Sequence, residues 1–361
     1  MTVYLVSLYY QVQVRSGANI RFDETAKYLR DTGWDVKMIV LQGETPEWCN
    51  DAALVIEFDK HAQLPGPLRR LLYFLKLFFF FIKAPRSIVL SDFFPFSALS
   101  FRKHYHYQLV HDLRNFTTFH RGMLPGLSSG WQRYQWRKAQ KIMTVSEYTR
   151  QELVKLCGIN ARDIVVVYNG INQAFLNYSE PVERTLDFLF VGVFETRKNH
   201  EKLIRALSIL KQKGVRFKAE FVGRDQGALQ SSRDLSGQLG LEGDLFINTS
   251  VLSEEALIRK YNAARVFVSP ALYEGFGIPL IEGFASGCTV ACSDITVFRE
   301  VCRDKALYFD PNDPEQIATA LDKALTADRT ADRAAYKKYA ADNFRWEATL
   351  AAMDKEFSAL K

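Results

Sequence analysis

Along the first half of the chain, short apolar runs recur between longer stretches whose apolar residues return every three or four positions. The short runs are VYLVSLYY, VKMIVL, ALVIEF, SIVLSD, YQLVHDL, KIMTVS and IVVVYN. The second half repeats the arrangement with DFLFVGV, FKAEFVG, DLFINTS, RVFVSP, TVACSD and ALYFD. Runs this rich in Val, Ile, Leu and Phe suit strands covered on both faces. The stretches between them, such as IRFDETAKYLRDTG, HEKLIRALSILKQKG and SEEALIRKYNAA, have helical spacing. Strand–helix alternation predicts right-handed βαβ units and parallel sheets, an α/β fold.

The pattern breaks at residues 169–185, NGINQAFLNYSEPVERT, a polar stretch with Pro181 and no clear period. A chain of 361 residues is too long for one comfortable core, so two similar domains are expected, over 1–175 and 183–343. The closing DNFRWEATLAAMDKEFSAL predicts a further amphipathic helix. Helix starts are well signed: Asp313 caps, Pro314 takes the first turn and Gln316 completes a capping box.

Charge separates the halves. Residues 1–178 carry 22 Lys and Arg against 14 Asp and Glu, while residues 179–361 carry 25 against 27. The first half should therefore meet something anionic, nucleic acid or a lipid surface on charge alone. One segment in it stands apart: LPGPLRRLLYFLKLFFFFIKAPR, residues 64–86. Its apolar run, interrupted by Lys76, is too short to span a bilayer, which takes about 20 residues. The basic residues Arg69, Arg70, Lys76, Lys83 and Arg86 suit a helix lying in a membrane interface. The alternative is a buried crossover helix of the first sheet. The five cysteines form no CxxC pair and no zinc spacing, which predicts reduced thiols in a cytoplasmic protein. MTVYLVSLYY lacks a basic n-region, so no signal peptide is expected.

Ligands of open parallel sheets bind beyond the carboxyl ends of the strands, so the loops there are the place to look for chemistry. In YEGFGIPLIEG, Gly275 and Gly277 let the backbone bend close to a ligand, and Ile278-Pro279 opens a helix whose N-terminus attracts phosphate. Glu274 and Glu282 flank that loop. Carboxylates repel phosphate, so they should bind neutral donors, with sugar hydroxyls the obvious ones. In VGVFETRKNHEK, Arg197 and Lys198 precede a helix and suit a diphosphate. In LVHDLRNF, His111 and Asp112 end a strand and could offer a polar contact to a reacting group. In QVRSGANIRF, Gly17 could admit a phosphate at a helix start, although GxGxxG is absent. No DxD occurs, so no site for a divalent ion on a nucleotide diphosphate is evident.

These residues, in this order, resemble the retaining glycosyltransferases of family 4, the group 1 enzymes. The most specific likeness is SPALYEGFGIPLIEGFASGCTVACSDITVFREV, residues 269–301, similar to that family's E-x7-E block. VGVFETRKNHEKLIRAL is similar to its phosphate-binding turn, and TVSEYTRQEL, VVVYNGIN and ALYFDPNDPEQIATAL also fit. The likeness runs over about residues 108–350 and is weak before residue 100. It implies the GT-B architecture: two Rossmann-like domains facing across a cleft, the first binding acceptor and the second a nucleotide-sugar donor. The last helix, 344–361, would pack back on the first domain. By position, Glu274 would meet the donor sugar and Glu282 the ribose. Arg197 and Lys198, with the amides of Phe276, Gly277 and Ile278, would hold the diphosphate. Ser250 and Val251 would line the base pocket, and His111 would lie near the sugar. Two departures are visible. Ser16-Gly17 stands where many members have a glycine pair, and Val193 stands where an Arg is often found.

The implied reaction passes a hexose from a nucleotide diphosphate to a glycan or lipid-linked glycan hydroxyl at the inner membrane face, with configuration retained. It needs no cofactor or metal, because cations and a helix terminus can stabilise the leaving phosphate. The R-K-N turn resembles mannosyltransferases, which makes GDP-mannose the leading donor expectation over UDP- or dTDP-sugars. No nucleic-acid partner is expected on this reading. The alternatives are a nucleotide-sugar epimerase on a similar fold and a non-catalytic lipid or nucleic-acid binding module.

Overall fold

The computed structural model describes residues 1–13, 16–92, 103–117, 125–326 and 332–361, with the side chains of 125–128 left aside. The chain divides into two compact units, Met1–Asn169 with Trp346–Lys361, and Gly170–Arg345.

The first unit runs β1 (Thr2–Val6), α1 (Gly17–Asp31), β2 (Asp35–Leu41), β3 (Val55–Phe58), α2 (Gly66–Lys83), β4 (Ser87–Asp92), β5 (Tyr105–Val110), α3 (Pro125–Trp136), β6 (Lys141–Thr144), α4 (Glu147–Cys157) and β7 (Ile164–Val166). Its seven strands form one parallel sheet in the order β3-β2-β1-β4-β5-β6-β7. The second unit runs α5 (Gln173–Asn177), β8 (Leu186–Val191), α6 (His200–Gln212), β9 (Ala219–Val222), α7 (Leu229–Gln238), β10 (Leu245–Asn248), α8 (Glu254–Ala263), β11 (Ala264–Ser269), α9 (Ile278–Ala285), β12 (Thr289–Ser293), α10 (Thr296–Cys302), β13 (Ala306–Phe309), α11 (Pro314–Thr326) and α12 (Asp332–Asn343). Its parallel sheet has the order β10-β9-β8-β11-β12-β13. Both are Rossmann-like, and each apolar run of the sequence is a strand.

Buried strands need an apolar cover on both faces, and helices supply it. In the second unit Leu203, Leu207 and Leu210 of α6 and Ile317 and Leu321 of α11 pack on Phe188, Phe190, Val266 and Val268. The expected cap of α11 is present: Asp313 Oδ1 accepts from the amides of Glu315 and Gln316 at 2.9 and 3.3 Å, and Gln316 Nε2 donates to Asp313 Oδ2 at 3.0 Å.

The unit boundary falls earlier than the expected 175. Ile171 bridges to Arg345, and Phe175 of α5 lies against Tyr261 with ring centroids 5.5 Å apart, so residues 170–175 go with the second core. The closing helix, α13 (Trp346–Ser358), starts at Trp346 rather than 344 and lies in the first unit. Trp34 Nε1 donates to Asp354 at 2.7 Å, Lys141 pairs with Glu356 at 2.7 Å, and Phe357 meets the rings of Trp34 and Tyr107.

The segment 64–86 forms α2, the crossover from β3 to β4, and it is covered on one side only. Tyr73, Leu77 and Phe81 pack on Tyr4, Val6, Ile39 and Val89. Leu68, Leu71, Leu75, Phe79 and Ile82 stay exposed, at 50, 53, 40, 59 and 41%. At 100° per residue they occupy an arc of about 80°. Phe74 joins this face to α3 through Trp131, 5.9 Å between centroids, and Trp131 and Tyr134 are themselves half exposed. Among the described residues no helix is long and apolar enough to cross a membrane. Two of the expected basic contacts are engaged within the fold: Lys76 donates to Asp59 at 2.7 Å, and Arg86 donates to the Tyr105 hydroxyl.

Candidate functional site

In each sheet the strand order reverses at one place, between β1 and β4 in the first and between β8 and β11 in the second. Loops leaving two such strands diverge and open a crevice at their carboxyl ends. In the second unit, those two loops carry Arg197-Lys198 and Glu274.

After β8 the chain passes Gly192, whose carbonyl would lie 1.8 Å from a Cβ on Gly223, so the turn after β9 must be glycine for the two backbones to pass. A single 3-10 turn, Thr196–Lys198, then presents the two cations. Asn199 follows in the left-handed region, φ 60°. Its side-chain amide holds it there, donating to the carbonyls of Pro270 and Pro311 at 3.1 and 2.7 Å. His200 starts α6 and stacks on Phe194, centroids 4.4 Å apart. Burial and the neighbouring Lys198 push its pKa down to about 3, so it is neutral near pH 7.

The loop after β11 is tied to this turn. Leu272 N donates to the Arg197 carbonyl at 2.8 Å, and Arg197 Nη1 donates to the Tyr273 carbonyl at 3.0 Å. Arg197 Nη1 also meets Glu274 Oε2 at 2.8 Å, and Lys198 Nζ donates to Glu274 Oε1. On the other side, Glu195 Oε1 lies 2.6 Å from Arg197 Nε. Burial pushes the Glu274 carboxyl up, but attraction and hydrogen bonds from Arg197 and Lys198 outweigh it and leave the pKa at about 2. The sequence assigned the two cations to phosphate alone; in the folded chain they also hold this carboxylate.

Gly275, Phe276 and Gly277 lead into α9. Gly277 adopts φ 101°, and a Cβ there would come within 2.8 Å of Leu280 and 2.9 Å of Phe298. Phe276 turns inward against Phe344, centroids 5.9 Å apart. The helix starts at Ile278 with Pro279 in its first turn, as expected. One turn on, Glu282 is buried at 5%, and its Oε2 accepts from the Tyr261 hydroxyl at 2.7 Å. The sequence reading missed Tyr261, which sits on α8 and is fully buried. At the end of β10, Ser250 N donates to Asn248 Oδ1 at 3.0 Å, and Val251 is 90% exposed. Asn248 Nδ2 in turn donates to the buried Glu220 at 2.9 Å, which also pairs with Lys260 at 2.8 Å.

In the first unit, His111 follows β5, and its Nε2 donates to Asp92 Oδ1, at the end of β4, at 2.8 Å. Asp92 is a second residue the sequence reading missed; it ended an unremarkable apolar run. The neighbouring Asp112 is used locally, accepting from Arg114 N at 3.1 Å. Gly17 opens α1, where the Ser16 hydroxyl caps the helix by accepting from Asn19 N at 3.2 Å.

Two parallel-sheet Rossmann-like units with charged loops at a topological switch point define a GT-B type protein. Solved structures share this fold over nearly the whole chain. The Anabaena protein HepE, solved with UDP and glucose, is 16% identical with a TM-score of 0.79, covering 99% of this chain and 100% of that one. A sucrose-phosphate synthase from Thermosynechococcus elongatus is 17% identical with a TM-score of 0.79, covering 99 and 98%. Residues 15–175 match the family model described as Glycosyltransferase Family 4, and residues 175–342 match Glycosyl transferases group 1. The chain belongs to this family of group 1 glycosyltransferases. It is also similar to the O-antigen chain mannosyltransferase B of Escherichia coli, 29% identical over 58% of this chain and 58% of that protein. The O-antigen chain mannosyltransferase RfbU of Salmonella typhimurium is 30% identical over 51% of each. The aligned part thus spans little more than half of these relatives' own lengths.

Proposed function

We propose that this chain is a retaining hexosyltransferase that moves mannose from a nucleotide-diphosphate sugar, GDP-mannose first, to a hydroxyl of a glycan or lipid-linked glycan in O-antigen or related polysaccharide synthesis. The observation that carries the reading is the pair Arg197-Lys198 on Glu274, in the loop that leads from β11 into α9, at the switch point of the second sheet. A leaving diphosphate gains negative charge in the transition state. Fixed cations and helix amides stabilise that charge more in a dry site than in water. Arg197, Lys198 and the amides of Phe276, Gly277 and Ile278 take the phosphates. Glu274 takes the sugar hydroxyls, Glu282 the ribose, and Ser250 and Val251 border the base. Attack from the front face retains configuration, and the leaving phosphate accepts the proton of the acceptor hydroxyl. In the first unit, His111, steadied by Asp92, has the sugar-contacting role that the family resemblance implies. Mannose as the sugar is supported by the two O-antigen mannosyltransferases to which the chain is similar.

The acceptor reading brings an anionic membrane face with it. The exposed apolar arc of α2 is edged by Arg69 and Lys83, with Arg70 beyond, which suits a helix lying in a lipid interface.

A thermal-shift series with GDP-, UDP-, dTDP- and ADP-sugars tests the donor site. The true donor at 100 times its Kd adds about 2.7 kcal/mol of stability. No shift with any nucleotide sugar would refute the donor site, and isomerisation of free nucleotide sugar without acceptor would point to an epimerase.

A further inference from the structure

Four ionised groups meet where the loops after β8 and β11 are tied together. Arg197 and Lys198 are each 12% exposed, Glu274 13% and Glu195 6%. Two positive and two negative groups leave the cluster neutral as it stands. A diphosphate drawn to the two cations while Glu274 remained on them would set like charges at hydrogen-bonding distance, where little water screens them. Arg197 is fixed independently of Glu274, by Glu195 and by the Tyr273 carbonyl. Arg197 can therefore stay in place while the Glu274 carboxylate moves.

We propose that Glu274 and the donor diphosphate exchange places on Lys198 and Arg197, and that the sugar decides the exchange. The inference rests on the donor-site reading above. When the intact donor arrives, its sugar hydroxyls replace the cations as hydrogen-bond donors to the displaced carboxylate. A nucleoside diphosphate without sugar offers no such donors. Glu274 then competes for the cations, and the spent nucleotide is held weakly. No covalent bond changes in the exchange. Glu274 is a specificity-determining residue that favours intact donor over product, because a group that interacts differently with two ligands shifts the balance between them.

Calorimetric titration of the full chain with GDP and GDP-mannose, and with UDP and UDP-glucose, tests the idea on wild type, Glu274→Gln and Glu195→Gln. In Glu274→Gln the nucleoside diphosphate should bind at least about fivefold more tightly, within the range of ordinary coupling. The nucleotide sugar should bind equally or less tightly. Glu195→Gln should move both ligands by one factor, because Glu195 engages Arg197 and not the sugar. Unchanged or weaker nucleoside diphosphate binding by Glu274→Gln, or equal tightening of both ligands, overturns the exchange. A second measurement needs no variant: on the wild-type chain, saturating free mannose should tighten GDP binding, and absence of that synergy counts against the exchange. If wild type binds neither nucleotide nor nucleotide sugar, the donor-site reading itself falls.

Discussion

Asp92 and His111, on the neighbouring strands β4 and β5 or just beyond them, meet at 2.8 Å with both side chains nearly shut from solvent. The carboxylate fixes the ring by accepting from Nε2, which sets what the other nitrogen can present. Asp92→Asn should lower transfer by about tenfold or more, the usual cost of losing a hydrogen bond to a charged group. The loss should appear in kcat with donor KM little changed. Wild-type turnover in this variant would remove Asp92 from the site.

Tyr261 and Glu282 form the corresponding buried pair of the second unit. Tyr261→Phe leaves a carboxylate at 5% exposure without its hydroxyl donor. Such a deletion costs about 1–3 kcal/mol. A denaturant midpoint unchanged from wild type would show that Glu282 finds another donor.

Gly277 combines a left-handed backbone with two close neighbours. Gly277→Ala forces a Cβ against Leu280 and Phe298 at φ 101°. Strain of this kind costs about 1–3 kcal/mol, and it falls on the turn that delivers the α9 amides. Both the melting temperature and nucleotide-sugar binding should drop; retention of both would mean the turn relaxes freely.

Acid should destabilise the fold in two windows. His200 is held neutral, its pKa lowered from 6.5 to about 3 by burial and Lys198. The unfolded chain binds a proton there that the folded chain refuses, so stability falls as pH drops from 6.5 towards 3. The slope is about 1.4 kcal/mol per pH unit for one such group. Glu274, with its carboxyl pulled from 4.5 to about 2, adds a loss of the same sign as pH falls from 4.5 towards 2. His200→Phe keeps a ring against Phe194 and should flatten the upper window by one proton. An unchanged slope in urea titrations from pH 6.5 to 4.5 would contradict this.

The α2 face gives a separate expectation. Wild type should sediment with vesicles containing anionic phospholipid at low salt. Leu75→Glu with Phe79→Glu should release it, since burial of each such side chain is worth about 1.5–3 kcal/mol. Nucleotide-sugar binding should be unaffected. Equal sedimentation of both proteins would mean the stripe does not face lipid.

Much of the frame was legible in the residues. Predominantly apolar runs marked every strand, because a strand covered on both faces holds few polar positions. Asp313-Pro314 and Ile278-Pro279 marked helix starts, because capping is local chemistry. Gly275, Gly277 and the flanking glutamates marked the loop after β11, because that mixture serves no core. Asp92 and Tyr261 were not legible. Each looks ordinary in its own run and acquires its role from a residue 19 or 21 positions away.

By itself the sequence determined the two parallel-sheet units, the strand ends whose loops carry the charged residues, and the residue types placed there, since periodicity and capping act over a few residues. Tertiary structure alone decided that Glu274 is held by both Arg197 and Lys198, that Arg197 is steadied by Glu195 and a carbonyl, and that one face of α2 stays bare. Those outcomes depend on which strands become neighbours. β8 and β11 lie side by side although more than seventy residues separate Arg197 from Glu274, and no local pattern encodes a distance across a sheet.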